Sequence, residues 1–488
     1  MKETASWAMN AAVSRGASYA DARIVAMRSR ALATKNGKLG SASDGESLGC
    51  AVRAIADGAW GFAASSEMSR AAVEATAANA VEIARASARV KHSDVQLAPE
   101  KPVTADWTTP YKTDPFSISI AENMDLLLDL DATLRGVAGV TLAETNLNCN
   151  REEQWFLSSE GADIHQTKVS TGAGYAAYSF AENEIQKRSY PNSFGGQWQN
   201  KGYELIAELK LIENARRIGE EAVALHSADQ CPEGVFDIIL DSSQLGLQIH
   251  ESVGHPIELD RVLGMEANFA GTSFLTLDKL RTLRYGSELV NVVADARQEH
   301  GPGLGTFGYD DEGVAAQCTP IITRGLFTGY LSSRETAHTI GETRSGGTVR
   351  AEGWNRLPMI RMTNISLLPG EKPLSLEQLI ASTDHGILMQ TNRSWSIDDK
   401  RFNFQFGCEI GWEIKGGKRV RMLKNPSYSG ITTEFWNSLD AICSRDEWTL
   451  WGTPNCGKGQ PQQVMGTGHG AAPSRFRQVK VGTAYKGN

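Results

Sequence analysis

The sequence predicts an α+β fold, in which an N-terminal α/β half precedes a mostly β C-terminal domain. Three observations favour this division. Segments with helical periodicity alternate with strand-like segments before residue 230. The chain is then interrupted at Cys231-Pro232-Glu233-Gly234. Beyond about residue 290, short strand-like segments alternate with glycine-containing turns. We therefore predict an N-terminal region over 1–230 and a C-terminal domain over 231–488.

The N-terminal region is predicted to contain two sub-units, over about 1–98 and 110–230. In the first, a helix over 2–15 precedes strands over 20–63, and an alanine-rich helix begins at Ser69. Residues 91–113 are polar and contain three prolines, which indicates a linker or an extended crossover. The second sub-unit is predicted to combine helices over 117–135 and 203–226 with strands over 140–146, 153–157 and 170–180.

The C-terminal domain is predicted to begin with a short apolar strand, Phe236–Leu240. A helix follows over 242–263, with one irregularity at 250–255. The remaining segments are typical of short strands joined by turns.

Composition excludes several classes of protein. Lys and Arg number 49 against 57 Asp and Glu, and basic residues form no run of five, so we expect no direct contact with nucleic acid. No apolar stretch approaches the roughly 20 residues of a membrane helix. The seven cysteines are widely spaced without a C-x-x-C pair, which is typical of reduced thiols. We therefore expect a cytoplasmic protein without a membrane partner.

The segment His250-Glu251-Ser252-Val253-Gly254-His255 carries the clearest chemistry. Imidazoles bind zinc, and an adjacent glutamate can deprotonate a water molecule. On a regular α-helix, however, residues i and i+5 point about 140° apart. The two histidines can share a metal only if the helix gains a residue, as in a π-bulge, or ends near Gly254. Otherwise they are ordinary histidines near a helix end, and Glu251 is an acid on the helix face.

A catalytic zinc usually has three protein ligands, so a third donor is needed. The first candidate is Cys456, which proline and glycine neighbours place on a tight loop. Alternatively, Cys456 is a small buried apolar residue. Glu258 is a rival, either as a ligand or as a partner of a ligand, and Asp260 and His469 are weaker rivals.

Other motifs are interpreted as structural. The glycines of 303–308 match G-x-G-x-x-G, but three acids and no helix follow, so we expect no dinucleotide site. The acid pairs Asp310-Asp311 and Asp398-Asp399 are predicted to lie in turns or at exposed edges. Ser252 lacks the surroundings of a nucleophile.

The H-E-S-V-G-H segment resembles the H-E-x-x-x-H motif of the TldD branch of the TldD/PmbA metalloproteases. Four further segments resemble that family in the same order along the chain. They are 307–313 (F-G-Y-D-D-E-G), 329–334 (G-Y-L-S-S-R), 361–364 (R-M-T-N) and 454–458 (P-N-C-G-K). The resemblance covers most of the chain and is strongest over about 236–470.

The resemblance implies a zinc-dependent peptidase that holds one Zn²⁺ per chain through His250, His255 and Cys456. Glu251 is then the general base toward metal-activated water and the acid toward the leaving amine. The family implies unfolded or short peptides as substrates, and a homodimer or a heterodimer with a PmbA-type subunit. Two alternatives remain open: a catalytically silent partner or regulatory subunit, and a metal amidohydrolase acting on non-peptide amides.

Overall fold

Two eight-stranded sheets, one in each half of the chain, organise the part that the computed structural model describes, residues 1–181 and 183–482. The predicted α+β class is confirmed, and the C-terminal part is mostly β. None of the described helices is long and apolar enough to cross a lipid bilayer.

The N-terminal sheet has the strand order β3-β2-β1-β5-β6-β4, and β7 and β8 pair with β6. Its strands are β1 (Tyr19–Lys35), β2 (Lys38–Ala56), β3 (Ala59–Ser65), β4 (Val103–Thr108), β5 (Leu142–Ser158), β6 (Ala162–Ala181), β7 (Glu184–Tyr190) and β8 (Gln197–Gln199). The helices of this half are α1 (Lys2–Ser14), α2 (Arg70–Ala88), α3 (Ile120–Arg135), α4 (Glu204–Glu208) and α5 (Leu211–Ala224).

Two apolar cores lie between this sheet and its helices. Small side chains of α1 and α2, mostly alanines, pack on β1 and β2 in the first core. Leucine, isoleucine and alanine side chains of α3 and α5 pack on β5 and β6 in the second. The Asp57-Gly58 turn joins β2 to β3, and Ser69 caps α2 by accepting a hydrogen bond from the Ala72 N–H, as their sequences predict.

Two N-terminal predictions need correction. The segment 91–113 is more than a linker, because it contains β4, which pairs in parallel with β6. The single helix predicted over 203–226 is divided into α4 and α5. The break is at Lys210, whose backbone lies in the left-handed region with φ 50°, a conformation that a helix interior does not accommodate.

The strands of the C-terminal half are shorter and more numerous. They are β9 (Asp229–Gln230), β10 (Gly234–Leu240), β11 (Val292–Asp295), β12 (Cys318–Thr323), β13 (Leu326–Phe327), β14 (Val349–Arg350), β15 (Met359–Ile360), β16 (Ile365–Leu367), β17 (His385–Ile397), β18 (Asn403–Lys415), β19 (Lys418–Lys424), β20 (Ser427–Ile431), β21 (Leu439–Ile442), β22 (Thr449–Lys458), β23 (Gln463–Ala471) and β24 (Ser474–Val481).

The helices of this half are also short. They are α6 (Ser242–Ile249), α7 (Leu259–Val262), α8 (Ala267–Ala270), α9 (Leu376–Ala381) and α10 (Thr432–Asn437), with a π-helical turn at His250–Gly254. Short 3₁₀ turns lie at Leu277–Lys279, Gln298–His300, Ala337–Ile340 and Arg445–Glu447, and one more lies in the N-terminal half at Pro115–Ser117. The predicted helix over 242–263 is therefore interrupted after Gly254.

The second sheet has the order β17-β10-β24-β20-β18-β19-β9. Because β17 also pairs with β18, five of these strands form a closed ring. A smaller sheet, β13-β12-β11-β16, and the hairpins β14-β15 and β22-β23 lie beside it. One continuous apolar core runs through this half and includes residues of α6 and Cys456.

Buried charges join the two halves around the segment 310–312. The Asp311 carboxylate accepts hydrogen bonds from the Arg23 guanidinium at 3.1 Å and from the Gln154 amide at 3.0 Å. Arg53, which is paired with Asp21 at 2.6 Å, also lies 3.5 Å from Glu312. The prediction that Asp310-Asp311 lies in a turn or at an exposed edge is met by the turn, because the Gly313 N–H donates to the Asp310 carbonyl at 3.0 Å. The edge is excluded, because these carboxylates are buried among cations and backbone N–H groups. Sequence spacing gave no sign of these distant partners.

We expect Gly61→Ala to lower the free energy of unfolding by about 1–3 kcal/mol or more, because overpacking a core forces backbone shifts. A Cβ at Gly61 would lie 1.9 Å from the Ala80 carbonyl oxygen and 2.4 Å from the Ala84 nitrogen of α2. Gly45→Ala in β2 is the matched control, since its Cβ would meet nothing within 4 Å. Urea denaturation of both variants measures the difference, and equal stabilities would contradict this packing.

Candidate metal centre

The helix that carries the two motif histidines contains the extra residue that their spacing requires. It begins after Asp241, whose carboxylate accepts a hydrogen bond from the Gln244 N–H at 2.9 Å. At its end, the His255 N–H donates to the His250 carbonyl at 3.1 Å, five residues earlier. This bond defines a π turn, and the predicted irregularity is confirmed.

The π turn brings both imidazoles to the same face. The ring centroids of His250 and His255 lie 4.8 Å apart, with the rings nearly perpendicular. Gly254 contributes because a Cβ at this position would lie 2.3 Å from the Met362 sulfur, inside the core. The absence of a side chain at Gly254 therefore lets this turn pack closely against Met362.

Cys456 reaches this point from the other end of the domain. It lies in β22, opposite Met465 of β23, next to an irregularity between Thr453 and Cys456. The tight loop predicted around Cys456 is therefore the end of a strand. The Arg361 guanidinium donates to the Cys456 carbonyl at 2.5 Å and fixes the backbone there.

Three side chains meet at one buried point. One donor atom from each of His250, His255 and Cys456 lies within 4.8 Å of the other two, and the Cys456 Sγ lies 3.9 Å from the His255 Nε2. Across the part of the chain that the structure describes, this is the single group of His, Cys, Asp or Glu donors close enough to hold a metal ion.

Two of the rivals for the third position contact the Nδ1 atoms of the histidines. The Glu258 carboxylate lies 3.0 Å from the His255 Nδ1, and the His469 Nε2 lies 2.7 Å from the His250 Nδ1. Each contact fixes a ring and leaves its Nε2 available. Asp260 instead lies 2.8 Å from the Lys458 ammonium and stays outside the cluster.

Lys458 and Arg261 balance the buried acids beside the cluster. The Lys458 Nζ lies 3.4 Å from Glu258 and 3.1 Å from Glu266, and Arg261 contacts the same two carboxylates at 3.4 and 3.2 Å. Burial by itself would raise the pKa of Glu258, but Lys458, His255 and Arg261 hold it well below its usual range. Glu258 is thus a charged acceptor that orients His255.

The protonation states of the three side chains suit a metal. Burial lowers the pKa of both His250 and His255, so each ring favours its neutral form. Burial raises the pKa of the Cys456 thiol, but His255 and Arg361 outweigh this effect and leave that pKa below its ordinary value. A metal binds neutral imidazoles and thiolates, and the lowered pKa of Cys456 shifts its thiol toward the thiolate.

The donor set also fits zinc by chemistry and size. Zinc takes imidazole nitrogen at about 2.0–2.1 Å and thiolate sulfur at about 2.3 Å. Donors at these lengths lie roughly 3.3–4 Å from one another, so a cluster with separations of up to 4.8 Å needs to close by about 1.5 Å at most.

Glu251 has a partner that sequence reasoning missed. Its carboxylate is buried and lies 2.6 Å from Arg401, at the connection between β17 and β18. Arg401 is 150 residues away, and no motif or spacing marks it. In the sequence it is one of two adjacent basic residues that follow Asp398-Asp399.

Models of known protein families match most of the chain. A model described as the PmbA/TldA metallopeptidase C-terminal domain matches residues 233–483. Models of the central domain and of domain 1 of the same metallopeptidases match 113–227 and 20–84. The chain belongs to the PmbA/TldD family of metallopeptidases.

Two relatives of this PmbA/TldD chain match it over nearly its whole length, and a third matches about half of it. It is 30% identical to a metalloprotease of Methanocaldococcus jannaschii over 455 residues, which is 93% of this chain and 95% of the relative. It is also 30% identical to a metalloprotease of Methanothermobacter thermautotrophicus over 95% of both chains. A zinc metalloprotease TldD homolog of Saccharolobus solfataricus is 28% identical over 51% of this chain and 52% of its own.

Solved structures share the fold of this PmbA/TldD chain at lower identity. A putative modulator of a DNA gyrase from Thermotoga maritima has a TM-score of 0.76 at 18% identity, over 98% of this chain and 99% of its own. TldE from Thermococcus kodakarensis has a TM-score of 0.71 at 14% identity, over 97% and 99%. The resemblance seen in the sequence is thereby confirmed at the level of family and fold.

We expect Gly254→Ala to weaken metal binding and to lower stability by about 1–3 kcal/mol, because the new methyl group displaces Met362 and distorts the π turn. Gly246→Ala on α6 is the matched control, since its Cβ would lie 3.6–3.8 Å from its nearest neighbours, an ordinary contact distance. Competition with a chromogenic zinc chelator measures affinity. Equal affinities in the two variants would contradict the role of the turn.

Proposed function

We propose that this chain is a catalytically active, zinc-dependent metallopeptidase, in which His250, His255 and Cys456 hold one zinc ion. The observation that carries the proposal is the meeting of these three donors at one buried point, with Glu251 next to His250. The family accounts for protease activity in general. The complete donor set favours the active form over a silent subunit, which would not need it.

When bound, zinc supplies Lewis acidity, which lowers the pKa of water and polarises a carbonyl oxygen. The chain's own residues supply the remaining chemistry. Glu258 and His469 hold the imidazole rings of His255 and His250 in place. The Glu251 carboxylate accepts a proton from the attacking water and returns it to the leaving nitrogen.

The proposed substrates are unfolded or short peptides, as the family resemblance implies. We also propose a dimer, either of two copies or with a PmbA-type subunit, in the cytoplasm. All seven cysteines are free thiols, and a reducing compartment suits the Cys456 ligand. Two alternatives remain, a silent partner and an amidohydrolase on non-peptide amides. Product analysis on a peptide library and on small amides distinguishes all three.

We expect about one zinc ion per purified chain, since two imidazoles and a thiolate form a site of borderline-soft donors. His250→Ala, His255→Ala and Cys456→Ala are each expected to lose it. His338→Ala and Cys318→Ala are the matched controls, because His338 is exposed and Cys318 lies outside the cluster. Elemental analysis measures the metal, and retention of the full amount by the three ligand variants would refute the assignment.

Glu251→Gln is expected to keep the metal but to lower peptide cleavage by roughly 10²-fold or more, because the amide keeps the shape and removes the base. Glu434→Gln is the control, since Glu434 is an exposed acid on α10. Single-turnover cleavage of a library peptide measures the rate of the hydrolysis step. Near-normal turnover in Glu251→Gln would show that another residue accepts the proton.

A further inference from the structure

Arg401 makes the closest contact to the proposed catalytic carboxylate. Its Nη1 donates to the Glu251 Oε2 at 2.6 Å, and the two side chains are 15% and 6% exposed. Within residues 1–181 and 183–482, Glu251 is the one carboxylate within 4.0 Å of this guanidinium. Arg401 is therefore directed at the reaction centre and is not neutralised by a surface acid.

The turn that carries Arg401 is firmly held. The Asp398 carboxylate accepts a hydrogen bond from the Phe402 N–H at 2.7 Å. Arg401 itself has φ 65°, in the left-handed region that side chains seldom adopt. The N–H groups of Thr272 and Phe274 donate to the carbonyls of residues 399 and 400 at 3.0 and 2.9 Å. A backbone in this conformation persists when its surroundings impose it, and such positions cluster at functional sites.

The same contacts tie the turn to the metal motif. Ser273, between Thr272 and Phe274, donates its hydroxyl to the Pro256 carbonyl at 2.7 Å, directly after His255. The Thr432 hydroxyl donates to the Arg401 carbonyl at 3.0 Å. Arg401 is thus positioned relative to the histidines by packed backbone and not by its own flexible side chain.

The guanidinium has donor capacity beyond Glu251. Its Nε is buried and has no hydrogen-bond partner among the described residues. An arginine offers five N–H donors in one plane, and a buried donor without a partner costs free energy. Glu251 therefore leaves N–H groups of this guanidinium available to a ligand oxygen.

Peptide hydrolysis generates such an oxygen. As the water oxygen bonds to the carbonyl carbon and Glu251 takes a water proton, the π-electron pair of the C=O bond moves onto its oxygen. The C–N bond then breaks as the pair on oxygen re-forms the carbonyl, and the nitrogen keeps the bonding pair and receives the proton from Glu251. Preorganised donors at the developing negative charge contribute strongly to catalysis in a buried site.

We propose that Arg401 is a further catalytic residue. Its guanidinium weakens its hydrogen bond to Glu251 and donates to the oxyanion of the tetrahedral intermediate. The inference rests on the proposed peptidase function and deepens it. A role limited to positioning Glu251 is the competing account. The two differ in one respect, because only an oxyanion donor binds a transition-state mimic independently of Glu251.

The test uses Arg401→Gln and Arg401→Lys in the zinc-loaded full chain. Lys400→Ala is the matched control, because the Lys400 side chain is exposed and only its backbone carbonyl accepts the hydrogen bond that holds the turn. Metal content and thermal unfolding are measured first. Then kcat and KM are determined on a library peptide that the wild type cleaves. Affinity for a phosphinate analogue of that peptide is measured with and without Glu251→Gln.

We expect both Arg401 variants to keep zinc and KM within a few-fold, and Arg401→Gln to lose roughly 10²–10³-fold in kcat, the loss typical of removing an oxyanion donor. Arg401→Lys should recover part of the lost kcat. Arg401→Gln should lose phosphinate affinity in both the wild-type and the Glu251→Gln backgrounds.

Phosphinate affinity that is unchanged in Arg401→Gln, or that changes only while Glu251 is present, overturns the inference. So does loss of zinc or of folding in both Arg401 variants, since a structural role then accounts for any loss of activity. A wild-type chain that cleaves no library peptide contradicts the proposed function instead, so the two failures are distinguishable.

Discussion

The hydrogen bond from the His255 N–H to the His250 carbonyl is the constraint on which the site depends. In a regular helix these rings would point about 140° apart, and no metal could join them. One extra residue in the turn returns both rings to one face, and Gly254 leaves the space that Met362 fills. A π turn forms less favourable hydrogen bonds than an α-helix, so the surrounding contacts must maintain it.

Buried ion pairs contribute to this support. Glu258 is held by Lys458 and Arg261, and it in turn holds His255. Lys458 lies two residues after Cys456, so the same charge cluster fixes both ends of the donor set. Buried charges are tolerated only with partners, and removing one leaves the others exposed to the full cost of desolvation. The three donor side chains are therefore coupled through a shared network of buried charges.

A second set of buried charges joins the N-terminal sheet to the C-terminal half. Asp311 and Glu312 contact Arg23 and Arg53, which lie on neighbouring strands of that sheet. The segment 307–313, one of those that resemble the family, is thus accounted for by packing and charge pairing between the halves. The residues of this segment take no part in the proposed metal site.

The fold class, the family, the unusual histidine spacing and the need for an irregular helix could all be predicted from the sequence. The fold class follows from periodicity, the irregular helix from the fixed rotation per residue, and the family from the resemblance of motifs in order along the chain. Only the tertiary structure shows which rivals contact the histidine Nδ1 atoms, that Asp310 and Asp311 are buried, and that Arg401 contacts Glu251. Their partners lie up to 288 residues apart, as for Arg23 and Asp311. Contacts at such separations depend on how sheets and turns pack, and residue spacing carries no record of that packing.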